Sequence, residues 1–162
     1  MRTYPVNSPQ AAARLLAMAL VADGNYALSE IRALDRLDAA RQLGLSPQDL
    51  KAVIETFCED LLLGAHGEWL GSSQLDATTR QALLAEVTDL TLRTKIVALC
   101  EAVVAADGHL ADGETAMLDS LARAWRQHNN GNIEIILAEY LMFVALCRRG
   151  CANSTVEGQG YV

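Results

Sequence analysis

The stretch "VVAADGHLADGE", residues 103–114, decides how the chain is read. It runs apolar and helix-forming up to Ala106, then stops on Asp107 and Gly108. A carboxylate at a helix C-terminus faces the negative end of the helix dipole, which is usually unfavourable by several tenths of a kcal/mol. The chain nevertheless does the same thing a second time. Residues 21–30 read "VADGNYALSE", again an apolar run, Asp23, Gly24, a short turn and a glutamate.

Placing residues 15–37 over 99–121 extends the match. Leu15 falls on Leu99, Ala22-Asp23-Gly24 on Ala106-Asp107-Gly108, and Ala27 on Ala111. Glu30 falls on Glu114, Leu34 on Leu118, Asp35 on Asp119 and Leu37 on Leu121. This is an internal duplication of a helix–turn–helix unit. Two copies are too few for a solenoid, so they are expected to pair inside one bundle of two pseudo-symmetric halves.

The flanking sequence supplies further helix boundaries. Ser8-Pro9 starts a helix over about 9–23, and a second is expected from about Ser29 to Leu43, stopped by Gly44. Ser46-Pro47-Gln48-Asp49 starts a third through Ala65. "HGEWLGSSQ" (66–74) reads as the loop between halves spanning about 8–65 and 76–149. Asp76 caps a fourth helix over 77–89. A fifth covers about 90–107, a sixth about 113–128, and a seventh about 132–149. The tail from 150 to 162 is polar and glycine-rich. No period-2 strand pattern competes, so the fold class is all-α, a single domain of about seven helices over 1–149.

Composition agrees. Of 162 residues, 51% are hydrophobic and only 5% aromatic, with three prolines, a helical signature in an Ala/Leu-rich chain. The net charge of −7 argues against binding nucleic acid, which needs clustered Lys and Arg. "AAARLLAMALVA" (11–22) resembles a signal-peptide core, but Arg14 interrupts it and "KIVALCEAVVAA" (95–106) repeats the pattern deep in the chain. Neither run approaches the ~18 apolar residues of a membrane span. No direct membrane insertion and a cytoplasmic location are expected. Cys58, Cys100, Cys147 and Cys151 contain no Cys-x-x-Cys pair, and read as reduced thiols.

The repeated unit carries the candidate chemistry. Glu30, Leu34 and Leu37 share one helix face, as do Glu114, Leu118 and Leu121. Each glutamate therefore opens a core-facing stripe, where an acid is costly unless paired. Asp35 and Asp119 point off that face, as solvated surface acids. Asp23 and Asp107 sit beside helix-end carbonyls that lack intrahelical partners. Carboxylates and carbonyls are hard oxygen ligands, the donor set of Ca²⁺ or Mg²⁺, and such an ion would reverse the repulsion at the helix end. An EF-hand is excluded. With Gly24 or Gly108 as its sixth position, the first and third positions would be Ala19 and Val21, or Val103 and Ala105. One copy has too few ligands, so a site must pool both. The alternative is structural: Asp-Gly is a common turn, with Gly24 and Gly108 at positive φ and the glutamates accepting first-turn N–H groups. On spacing alone both readings stand.

With its twice-repeated Ala-Asp-Gly-x₅-Glu, each copy between amphipathic helices, the chain resembles the tellurite-resistance TerB family over about residues 8–149. The resemblance implies a helical bundle of two similar halves whose acids bind a metal, in tellurite-resistance and stress-related systems. Carried over residue by residue, it implies a metal site at Asp23, Glu30, Asp107 and Glu114, with Asp112 as an extra acid in the second copy alone. The expected function is a non-enzymatic stress-response domain binding a divalent cation. The alternative is a metal-free helical module for protein partners or homo-oligomers, with Trp69, Leu70 and Trp125 as candidate contacts, although large apolar residues are more often packed in the core. Catalysis is not expected, because no nucleophile with a positioned base accompanies the acids. His109 aligns with Asn25 and reads as a turn residue.

Overall fold

The computed structural model describes residues 1–22, 24, 28–65, 71–72, 75–107 and 112–126, with backbone alone for Asp107, Asp112, Glu114 and Arg126. Among these residues there are seven α-helices and no strand: α1 (Pro9–Leu20), α2 (Leu28–Arg36), α3 (Ala39–Gln42), α4 (Pro47–Gly64), α5 (Ala77–Ala85), α6 (Leu90–Val104) and α7 (Asp112–Arg126). A 3₁₀ turn, Ala105–Asp107, follows α6. The helix expected over 132–149 and the tail from 150 lie outside the described residues.

Local chemistry starts each helix where the sequence places it. Ser8 Oγ accepts from Ala11 N at 3.1 Å, and Ser46 Oγ from Asp49 N at 3.1 Å, each followed by a proline whose missing N–H is no loss in a first turn. Asp76 accepts from Thr79 N at 2.9 Å to open α5, and Asp89 from Leu92 N at 2.7 Å to open α6. α5 ends at Ala85, four residues before the expected Asp89.

The single helix expected over 29–43 is two. It breaks at Asp38, whose φ of 49° and ψ of 42° are left-handed, a conformation that Asp tolerates better than most residues. The reason lies in the core. Ala33, Leu34, Ala39, Ala40 and Leu43 are all buried, yet in an unbroken helix Ala39 would stand about a third of a turn from Ala33. The break turns α3 so that both sets face inward. Gly44 stops α3 as expected, with φ of 79° and the paired bonds Leu45 N to Ala40 O and Gly44 N to Arg41 O.

The core is built around α1. Every residue from Ala11 to Leu20 is buried, and the helix packs on α4, α5, α6 and α7. A helix apolar on all sides must be enclosed on all sides, which accounts for the signal-like composition of residues 11–22. No helix among the described residues is long and apolar enough to cross a membrane. The duplicated units lie against each other: α1 packs on α6 and α7, and α2 on α6.

One charged side chain interrupts α1. Arg14, 2% exposed, is ion-paired with Glu86, donates to Arg2 O, and places its guanidinium 4.7 Å from the Tyr4 ring centre. Arg2 N donates to Asp60 at 2.9 Å, and Asn7 Oδ1 accepts from Thr88 N and Asp89 N. The N-terminal segment is thereby strapped across α4 and the α5–α6 corner.

Candidate functional site: the repeated Asp-Gly turn

The first turn is built at the end of α1. Val21 N–H closes back on Ala17 and Ala19, and Ala22 N–H on Ala19, which tightens the last turn. Gly24 then adopts φ of 84°, the left-handed conformation that a helix-ending glycine supplies without steric cost. Gly24 N donates to Val21 O at 3.2 Å. The turn is therefore built as the structural reading expects, whatever else it holds.

Glu30 lies in the first turn of α2 and is 4% exposed. Leu34, four residues on, is buried on the same face together with Ala33, whereas Leu37, the third residue of the expected stripe, lies just past the end of α2 and is only partly buried against the core. Its place in the first turn suits a carboxylate, since the helix dipole is positive there. Asp35 is exposed, and Asp119 is ion-paired with Arg123 at 3.3 Å on a largely exposed edge. Both fit the surface role.

The two copies approach each other here. α2 packs against the 3₁₀ turn Ala105–Asp107, so the backbone carrying Asp107 neighbours the helix that Glu30 begins. Glu114 occupies the first turn of α7, as Glu30 does in α2. Asp23, His109 and the side chains of Asp107, Asp112 and Glu114 lie outside the described residues. Among the described residues no three His, Cys, Asp or Glu side chains group as a metal site requires. As a donor set, a buried carboxylate beside a second acid-bearing turn fits a hard divalent cation.

Two carbonyls at the end of α1, Met18 O and Val21 O, find partners outside the helix, in the loop between the halves. Ser72 N donates to Val21 O at 2.8 Å, and Ser72 Oγ donates to Met18 O. Ser72 is fully buried. The segment read as a mere connector thus caps the helix end, and only its Gly-Ser pair hinted at a close approach. Of the two readings of Trp125 the core one holds: it is 3% exposed, with Arg93 5.3 Å from its ring centre. Trp69 and Leu70 lie outside the described residues.

Both described thiols have environments that favour the protonated form. Burial, reinforced by Glu101, raises the pKa of Cys100 far above the ordinary thiol value, and burial followed by Glu55 raises that of Cys58. Cys147 and Cys151 lie outside the described residues.

The family model for tellurite resistance protein TerB matches residues 9–129, a span that contains α1 to α7 and both copies of the Asp-Gly turn. The chain belongs to the TerB family. No curated protein and no solved structure gives a match. The TerB match begins with Pro9, so the N-terminal strap with Arg2 and Tyr4 lies outside the matched residues.

Proposed function

We propose that this TerB-family chain is a non-catalytic, cytoplasmic stress-response domain of the tellurite-resistance type. In this reading Asp23, Glu30, Asp107 and Glu114, two from each unit, bind one Ca²⁺ or Mg²⁺. The observation that carries it is the buried Glu30 at the start of a helix packed on the Asp107 turn. Carboxylates from two such neighbouring turns are oxygen donors of the kind that Ca²⁺ and Mg²⁺ take.

The test is thermal unfolding after chelator treatment, with CaCl₂ or MgCl₂ then added to millimolar levels. A ligand at a hundred times its Kd stabilises by about 2.7 kcal/mol. For a chain of this size that raises Tm by roughly 5–10 °C. Glu30→Gln and Asp107→Asn remove the shift. An unchanged Tm in the wild-type chain with either ion rejects the reading.

A second reading, a metal-free interaction module, draws on the C-terminal end of α4. Leu63 is 76% exposed there, at the edge of a cleft of about 590 Å³ lined by Met1, Leu61, Ala65, Gly71 and Leu75. In that case partner capture by the intact chain is unaffected by chelator and is weakened by Leu63→Ser.

A further inference from the structure

We propose that Arg14, Asp60 and Glu86 form a peptide-docking groove, filled in this structure by the chain's own N-terminal strap. The partner it fits is a non-helical segment with a basic residue followed two positions later by an aromatic one. The proposal rests on neither reading above, and its failure leaves both standing.

Each of the three groups comes from a different element: Arg14 from the middle of α1, Asp60 from α4, and Glu86 from the cap that ends α5. What they meet in the strap is mainly backbone. Asp60 accepts from Arg2 N at 2.9 Å, Arg14 donates to Arg2 O, and Glu86 Oε1 accepts from Tyr4 N at 3.3 Å. Arg14 is 2% exposed and Asp60 8%. A segment that only closed the core would do so with apolar side chains. Two carboxylates and a guanidinium set along an N–H, a C=O and a second N–H instead read a main chain. Such main-chain bonds give affinity, and the side chains beside them give specificity. Arg2 Nη2 lies 3.3 Å from Glu59 and its Nε 3.8 Å from Asp60, so a basic side chain is favoured at that position. Two residues on, the Tyr4 ring covers the Arg14 guanidinium at 4.7 Å.

The strap is held in a way that lets it leave. Residues 1–5 belong to no helix, Met1 is 48% and Val6 59% exposed, and Tyr4 is only partly buried against the core. A segment with so little buried apolar surface opens at a fraction of the cost of global unfolding. Its fit is also incomplete. Arg14 Nε is buried and has no hydrogen-bond partner among the described residues. An orphaned buried N–H is costly, and a carbonyl of a better-fitting segment would satisfy it.

The probe is an N-acetylated peptide copying residues 1–8, labelled with fluorescein at its C-terminus. It is titrated with the full chain and read by fluorescence anisotropy. Asn7 anchors the strap through Thr88 N and Asp89 N, at φ of 61°, and its side chain makes none of the three groove contacts. Asn7→Ala withdraws those bonds and places alanine in a left-handed conformation, so the strap leaves more often. A groove vacant for a larger fraction of the time shows a proportionally lower apparent Kd, and Asn7→Ala is expected to bind the peptide roughly tenfold more tightly than wild type. Within Asn7→Ala, a peptide carrying Arg2→Ala and Tyr4→Ala is expected to bind about tenfold more weakly, as is the original peptide once Asp60→Asn is added. Melting temperatures check that each variant is folded. Equal affinity in wild type and Asn7→Ala overturns the proposal, because the peptide then binds elsewhere. So does equal affinity for the two peptides, which is indiscriminate adhesion, and so does a folded Asn7→Ala chain that binds neither. If Asn7→Ala dimerises in light scattering and takes up no peptide, the occupant is a second copy and the partner assignment falls. Should Asn7→Ala fail to fold, Tyr4→Ala, which uncovers Arg14 and leaves the groove side chains in place, decides the matter.

Discussion

Arg14 sits in the middle of the most apolar helix of the chain, and its guanidinium is nearly excluded from water. That position is tolerable because Glu86 supplies the opposite charge, Arg2 O a further acceptor and Tyr4 a ring face. Removing one partner is far worse than removing both, since an uncompensated buried charge remains. Glu86→Ala should destabilise the chain by about 3 kcal/mol, read as a lower urea midpoint at unchanged slope. The double variant Arg14→Met with Glu86→Leu should recover a large part of that loss. If the double variant is less stable than Glu86→Ala, the pair is not what makes Arg14 tolerable. The residue scale also shows where sequence reading works and where it stops. Glu30 was legible because its environment follows from Leu34 four residues on, a matter of helix period. Arg14 looked like a mere interruption, because the partners that explain it lie in the N-terminal strap and at residue 86. Ser72 was invisible for the same reason.

At the scale of elements, boundaries set by side-chain caps were legible and those set by packing were not. Ser8, Ser46, Asp76 and Gly44 act within three or four residues, so spacing reveals them. The break at Asp38 answers to the burial of Ala39, which no local rule contains. Asp76 yields a prediction of its own. The Thr79 hydroxyl, then the Thr79 N–H, stabilises its ionised form and lowers its pKa. A carboxyl whose folded pKa lies below its unfolded value of about 3.9 contributes stability above that value. The contribution is lost as pH falls through the folded pKa. Asp76→Ala should therefore lower Tm at pH 7, and the gap from wild type should narrow as pH falls from about 4 towards 2. A gap that stays constant over that range would show that the α5 cap owes nothing to the charge.

For the molecule as a whole, the question raised by the duplication is whether the two units fold together. The family match runs unbroken across both, and α1 of the first packs on α6 and α7 of the second as well as on α4 of its own. No layer of side chains separates the units, because α1 is itself the shared core, with Leu15, Leu16, Met18 and Leu20 all at most 1% exposed. A core held in common makes unfolding cooperative, since neither unit keeps its buried surface once α1 is withdrawn. Leu16→Ala tests this at the centre, where a leucine-to-alanine cavity costs about 2–5 kcal/mol. Helicity by circular dichroism reports all helices, whereas tryptophan emission in a Trp69→Phe background reports Trp125, packed in α7 of the second unit. The two urea transitions should coincide in the parent, and Leu16→Ala should move both midpoints by the same amount although the substitution lies in the first unit. If Trp125 kept its midpoint while the helical signal lost part of its amplitude early, the halves would be separable bodies. A cation held between them would then act as an external bridge, and could not act as a ligand of one shared core.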